Sequence, residues 1–213
     1  MKCLDGLHYS FAILEFVYAP LYDLCTQIPS DSSALFPALW HCWSFVDIVQ
    51  RIREIAQAIP GLSGKDTHLK SFLDSTSVAE EFRHYIQHLR AELSKKQTNP
   101  FPVWGTLAWV DPANELRSHA VMIGARLPGT SYTGCVFDRL NRKWVSKVSL
   151  GVANKSLNFD VLYDAALKFR EHIMPWALAA YQPGIQVTAE LPIITMEFKL
   201  GADIQAGDAN SET

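Results

Sequence analysis

Four side chains suited to acid–base or phosphate chemistry fall within six residues, at Arg83, His84, Gln87 and His88. An imidazole titrates near neutral pH and can accept or donate a proton, which makes the two histidines candidates for general acid or base chemistry. A guanidinium stays charged and can bind an anion through two parallel hydrogen bonds. These six residues hold the densest set of catalysis-capable side chains in the sequence.

The segment from Ser77 to Lys96 carries these residues and has apolar positions at helical spacing. This pattern predicts one long amphipathic helix. Five residues turn an α-helix through about 500°, so the side chains of Arg83 and His88 project about 140° apart. A site that uses both needs a wide groove or a second copy of the helix. The alternative is a surface arginine beside a histidine with a structural role.

The same residues resemble the R-x4-6-H motif of the HEPN superfamily, in which a polar residue often follows the arginine. Residues 82 to 89, FRHYIQHL, look like the F-R-N-x-x-Q-H-L variant of that motif. The difference is His84, which stands where asparagine or aspartate is commoner. HEPN domains are helical bundles with the motif late, on a long helix, and the placement here is similar. The resemblance covers about residues 5 to 97.

The resemblance implies a HEPN-like protein that acts on RNA, either a metal-independent endoribonuclease of stress response or defence or an RNA-binding derivative. It implies no cofactor, with Arg83 and His88 as the catalytic residues. His88 would take a proton from a ribose 2′-hydroxyl or give one to the leaving oxygen, Arg83 would hold the phosphate, and His84 or Gln87 would orient it. It also implies a homodimer through the Ser77–Lys96 helix, which would bring both copies of the motif into one cleft. The alternative function is a non-catalytic interaction or dimerisation protein with a degenerate site.

Four residues are candidates for binding the substrate: His84, Gln87, Asp47 and Arg51. Asp47 and Arg51 are four residues apart on a predicted helix, so they share a face and can pair. If that helix packs against the motif helix, Asp47 could hold one of the cations in register.

Metal and redox chemistry find little support in the sequence. His84 and His88 have a spacing that suits zinc, but the pattern is not H-E-x-x-H and no third ligand is indicated nearby, so we expect no metal. The four cysteines form no C-x-x-C pair. Free thiols in a reducing cytoplasm are the favoured interpretation, and two disulfides are the alternative.

Two further groups of residues have a nucleic-acid interpretation beside a structural one. Tryptophans on predicted strands can stack bases, although packing is the commoner role. A basic cluster in a predicted hairpin could contact phosphate, although a solvated turn is favoured. The tryptophans are Trp104, Trp109 and Trp144, and the cluster is Arg139, Arg142, Lys143 and Lys147. Motifs for a serine nucleophile, a P-loop or a dinucleotide are absent from the sequence.

Composition describes an ordinary globular chain of 213 residues, 48% hydrophobic and 19% charged. The net charge of −3 argues against a general basic surface for duplex DNA. Polar residues and Pro20 interrupt the apolar N-terminal stretch, so we expect no signal peptide, no membrane span and a cytoplasmic location.

Periodicity changes near residue 100 and predicts an α+β protein, an N-terminal antiparallel helical bundle followed by an antiparallel sheet with one long helix. Helices are predicted at 5–27, 34–59, 68–74, Ser77–Lys96 and 158–181. We expect a kink or break at Pro20 in the first of them. Ser77 and Glu80 match the S-x-x-E pattern of a capping box at the start of the Ser77–Lys96 helix. Strands at 103–110, 119–126, 132–137 and 144–152 are expected as a meander, followed by a strand region at 185–200. The predicted domains are residues 1–98 and 99–200, packed together, with a loose tail at 201–213.

Overall fold

A computed structural model of the chain describes residues 2–94, 101–124, 129–130 and 132–181. Over these residues the fold is α+β, which confirms the predicted class. Helices fill the first part, and a four-stranded antiparallel sheet and one long helix fill the second. The predicted strand at 185–200 and the tail at 201–213 lie outside the described residues. Across the described ranges, no helix combines the length and apolar character that crossing a bilayer requires.

Six α-helices form the bundle. They are α1 Lys2–Tyr18, α2 Leu21–Gln27, α3 Leu35–Gln57, α4 Thr67–Ser75, α5 Ser77–Gln87 and α6 Leu89–Ser94. A 3-10 turn at Ser32–Ala34 leads into α3. The chain breaks between α1 and α2 at Ala19 and Pro20, because proline lacks the N–H that would continue α1.

The prediction of one helix from Ser77 to Lys96 is wrong within the described residues. The helix ends at Gln87, and His88 follows with φ −105° and ψ 23° before α6 begins. Helices in proteins are held mainly by packing of an apolar face. Helix α5 buries Ala79 and Phe82, whereas α6 buries no residue, so the helix continues without distortion only where it packs on the bundle.

The predicted capping box is also wrong. Thr76 takes the position before α5, and the Ser77 hydroxyl donates backwards to the carbonyl oxygen of Asp74 at 3.0 Å. The Glu80 carboxylate accepts from Arg53 of α3 at 2.7 Å. A charge-assisted bond to a guanidinium is stronger than a bond to a neutral backbone N–H, so Glu80 turns towards α3.

The sheet is antiparallel but is not a simple meander, which corrects the prediction. Its strands are β1 Thr106–Val110, β2 Ser118–Met122, β5 Val148–Val152 and β6 Lys155–Asn158, and a separate hairpin joins β3 Phe137–Asp138 to β4 Lys143–Trp144. The order in the sheet is β2–β1–β5–β6, with β1 pairing both β2 and β5. Strands β1 and β5 are buried at every position, so they take the centre, and the more polar β2 and β6 take the outer positions.

Helix α7, Phe159–Tyr181, follows the sheet and packs back on the bundle. The rings of Tyr18 and Tyr163 stack at 3.8 Å between centroids, and those of Phe72 and Phe169 at 4.5 Å. The Tyr18 hydroxyl also donates to Asp160 at 2.9 Å. Buried residues from the helices and from the sheet form one continuous hydrophobic core.

The buried guanidinium of Arg53 ties α3 to the junction of α4 and α5. Its side chain is 7% exposed, and it donates to the Leu73 carbonyl oxygen, to the Thr76 hydroxyl at 2.8 Å and to Glu80 at 2.7 Å. A buried charge is tolerated where every donor finds a partner. Arg53 therefore fixes where α5 begins relative to α3.

We expect Arg53→Ala to lower the free energy of unfolding by about 2 to 3 kcal/mol, because it leaves a buried carbonyl and a buried hydroxyl without their donor. Urea denaturation measures the change. Arg51→Ala is the matched control on the same helix, where an exposed ion pair should cost no more than about 0.5 kcal/mol. Equal losses in the two variants would contradict this role of Arg53.

Asp66 gives a pH-dependent contribution at the start of α4. Its carboxylate accepts from the backbone N–H groups of Leu69 and His68 at 2.8 and 2.9 Å, and the Leu69 bond is the main reason that its pKa lies below the usual value. A lowered pKa means that the stabilisation is present above the unfolded value of about 3.9 and is lost as the pH falls through the folded pKa.

Asp66→Ala should therefore cost about 1 kcal/mol of unfolding free energy at neutral pH, and the difference from the wild type should shrink below about pH 4. Urea denaturation across this pH range measures both values. Asp66→Asn, which keeps an acceptor without the titration, is the control. A cost that stays constant across the range would contradict the assignment.

Candidate functional site

The predicted catalytic arginine lies at the contact between α3 and α5. The Arg83 side chain is only 19% exposed. Its Nη1 donates to Oε1 of Glu54 at 2.6 Å, and its Nε lies 3.4 Å from Oδ1 of Asp47. Both carboxylates belong to α3, so the guanidinium spans the two helices. Arg83 is thus paired inside its own chain.

Asp47 is shared between two arginines. Its other oxygen, Oδ2, accepts from Nε of Arg51 at 2.6 Å, and this bond raises the pKa of the Arg51 guanidinium. Gln87 completes the group. When its amide is oriented so that both the oxygen and the nitrogen have suitable partners, the oxygen accepts from Nε and Nη2 of Arg83 at 3.1 and 3.3 Å. Four predicted site residues therefore meet in one network, here called the α3–α5 ion network: Asp47, Arg51, Arg83 and Gln87, with Glu54 as a fifth member.

Glu54 is the member that the sequence analysis missed. It lies seven residues after Asp47 and three after Arg51, so it shares their face of α3. That spacing was available in the sequence as a signal. It gives α3 a charged stripe of alternating sign, with a formal charge near zero once Arg83 is added.

The two histidines stand apart from this network. The rings of His84 and His88 are 4.4 Å apart between centroids at 47°, and both residues are exposed. In the described part of the chain, no hydrogen bond or ion pair joins either ring to Arg83. His84 instead lines a hollow of about 600 Å³ with residues that include Tyr85, Phe101 and Lys155.

This geometry limits the phosphate chemistry available to one copy of the chain. A phosphate that approached Arg83 would have to displace a carboxylate at 2.6 Å and would meet the negative charge of Asp47 beside it. Charge-assisted bonds of that length are among the stronger ones in proteins. Arg83 therefore serves first as an interhelical tie, while the exposed histidines remain open to solvent.

A large apolar groove opens beside the ion network, between the antiparallel helices α1 and α3. Its volume is about 1120 Å³. Aromatic side chains line its edges and are largely exposed to solvent: Phe16 is 68%, Phe36 73% and Trp40 57% exposed. The lining residues are Gly6, Tyr9, Ser10, Ile13, Phe16, Val17, Phe36, Leu39, Trp40, Trp43, Ser44, Asp47, Ile48, Arg51, Glu54, Ile55, Ile86 and Trp104.

The sequence analysis did not anticipate this groove. Helix α1 buries Phe11 but exposes Phe16, and α3 buries Val46 but exposes Phe36 and Trp40. The exposed members of these sets line the groove together with apolar residues that are partly or fully buried. A second apolar face on a helix that already has a buried face is the signal that could have revealed it.

Two of the three candidate tryptophans have structural surroundings. Trp109 is buried in the core, and the indole N–H of Trp144 donates to the Glu115 carbonyl oxygen at 2.6 Å. Among the described residues, no group of three or more histidine, cysteine, aspartate or glutamate side chains could hold a metal ion. The four cysteines are free thiols, and burial raises the pKa of Cys25 to about 12.

A double-mutant cycle tests whether Arg83 acts as a tie. We expect Arg83→Ala and Glu54→Ala to be coupled by about 1 kcal/mol of unfolding free energy, because the pair is partly shielded from water. Urea denaturation of the two single variants and the double variant measures the coupling. Arg90→Ala, on the exposed side of α6, should change stability by less than about 0.5 kcal/mol. A coupling of zero would contradict the tie.

Comparisons with known proteins found nothing similar. No family model, no curated protein and no solved structure matches this chain.

Proposed function

We propose that this chain is a non-catalytic protein-interaction module, a HEPN-like helical bundle that binds another protein through the groove between α1 and α3. The observation that carries the proposal is the groove itself, which has a volume of about 1120 Å³ and exposes Phe16, Phe36 and Trp40 along its edges. Monomeric proteins rarely leave a contiguous apolar patch of more than a few hundred Å² in water unless it binds something.

The chemistry of the groove supports a protein as its ligand. Aromatic residues and arginine are enriched in the centres of protein interfaces and contribute most of the energy there. The groove offers both, with aromatic rings near the start of α3 and Arg51 further along it.

The state of Arg83 supports binding over cleavage. Its guanidinium is paired with Glu54 and Asp47, so a single copy offers no free cation for a phosphate at this position. A catalytic arginine that stabilises a developing charge has to reach the reacting oxygen. The ion network therefore favours the alternative in which the HEPN-like site is degenerate.

A metal-independent endoribonuclease is the second candidate function. The observation that favours it is the exposed pair of His84, which directly follows Arg83, and His88, which directly follows Gln87. In this alternative His88 acts as base or acid on the ribose, and a second copy of α5 brings the remaining groups. RNA would then displace Glu54 from Arg83.

Incubation of the purified chain with single-stranded RNA in EDTA separates the two candidates. If the chain is an interaction module, the wild type and the His88→Ala and Arg83→Ala variants should all leave the RNA intact, because carboxylates already hold Arg83. The readout is fragment length together with the 2′,3′-cyclic phosphate end. Arg90→Ala is the control variant. Cleavage by the wild type that both site variants abolish would reject the non-catalytic proposal in favour of the nuclease.

A further inference from the structure

We infer that the occupant of the groove is a second copy of this chain, packed face to face so that the α1–α3 layers of the two copies form a four-helix interface. The inference rests on the proposed interaction function and names its partner. It differs from the sequence-based expectation in its location, since it places the contact on α1 and α3 and leaves the Ser77–Lys96 segment outside its centre.

Both helices are apolar on two sides, which is the first argument. Helix α1 buries Phe11 and Leu14 in the core and exposes Ile13 and Phe16 on the groove side. Helices that are apolar on more than one face are covered on more than one face. The core covers the first apolar face of α1, so we expect another protein surface to cover the second apolar face, which borders the groove.

The exposed area is the second argument. Phenylalanine and tryptophan side chains each offer roughly 150–250 Å², so exposures of 68%, 73% and 57% at Phe16, Phe36 and Trp40 leave on the order of 400 Å² of aromatic surface. A stable interface of standard size buries about 800 Å² on each partner. Three side chains thus supply about half of what each copy needs, and Ile13, Trp104 and the polar end of the groove add to it.

The charge of the groove is the third argument, because it suits a second copy of this chain better than a strongly charged partner. The polar end carries Asp47, Arg51 and Glu54, with Arg83 beside them, so its charges nearly cancel. A strongly acidic or strongly basic partner gains little from such a surface. A second copy brings the same balanced set of charges. In a two-fold contact every pairing between the copies occurs twice, so the carboxylates of each copy can face the guanidinium groups of the other.

The test is the mass of the full chain in solution, measured by sedimentation equilibrium over a hundredfold range of concentration. We expect the wild type to approach twice the 23.9 kDa of one chain. Phe16→Asp and Phe36→Asp should each raise the dissociation constant about 100-fold, because each places a charge in the centre of the interface. Both residues are largely exposed in one copy, so circular dichroism and thermal unfolding should show a folded monomer.

Leu116→Asp and Leu140→Asp are matched controls, since these leucines are 83% and 95% exposed and lie outside the groove. They should leave the dissociation constant unchanged. A wild type that stays monomeric throughout, or a dimer that persists in both phenylalanine variants, would overturn the inference. RNA cleavage dependent on Arg83 and His88 would reject the proposed function without altering the mass, so the two failures are distinguishable.

Discussion

The buried guanidinium of Arg53 is the interaction on which the arrangement of the bundle depends. It sits in the interior of α3 and bonds the last turn of α4, the residue before α5 and the first turn of α5. Because these bonds have fixed geometry, they set the rotation and the height of α5 against α3. That register is what brings Arg83 over Glu54 and Asp47. The ion network therefore depends on the bonds that Arg53 makes to Leu73, Thr76 and Glu80, which precede Arg83 in the chain.

Much of the architecture follows from patterns in the sequence, and the failures have physical causes. Helical periodicity and Pro20 predicted α1, α2 and α3, because a buried stripe and a missing N–H are local properties. The order of the strands was mispredicted, because proximity along the chain favours a meander, whereas burial of β1 and β5 on both faces places them together at the centre. The capping box failed for a similar reason, since the tertiary bond from Arg53 to Glu80 outcompetes a local one.

The candidate site was predicted in part. Spacing alone identified Asp47 and Arg51 as a pair and suggested that Asp47 could hold a cation of the motif helix, and Asp47 does lie against Arg83. The sequence could not show that Glu54 would take the other side of the guanidinium, because that depends on how far α5 is shifted along α3. Nor did the sequence analysis identify Phe16 and Phe36 as exposed, since an apolar residue on a helix is expected inside until its neighbours are placed. The function proposed above depends on what covers these two residues.

The stacking of Tyr18 on Tyr163, with the hydrogen bond from Tyr18 to Asp160, joins two ends of the described chain. A ribosome adds about 5–20 residues each second, so Tyr163 is made roughly 7 to 30 seconds after Tyr18. During that interval α1 can already pack on α3, which follows it closely in the chain, whereas the part of α1 that contacts α7 stays uncovered. The contact between the first and the last described helix therefore forms only after most of the described chain has been made.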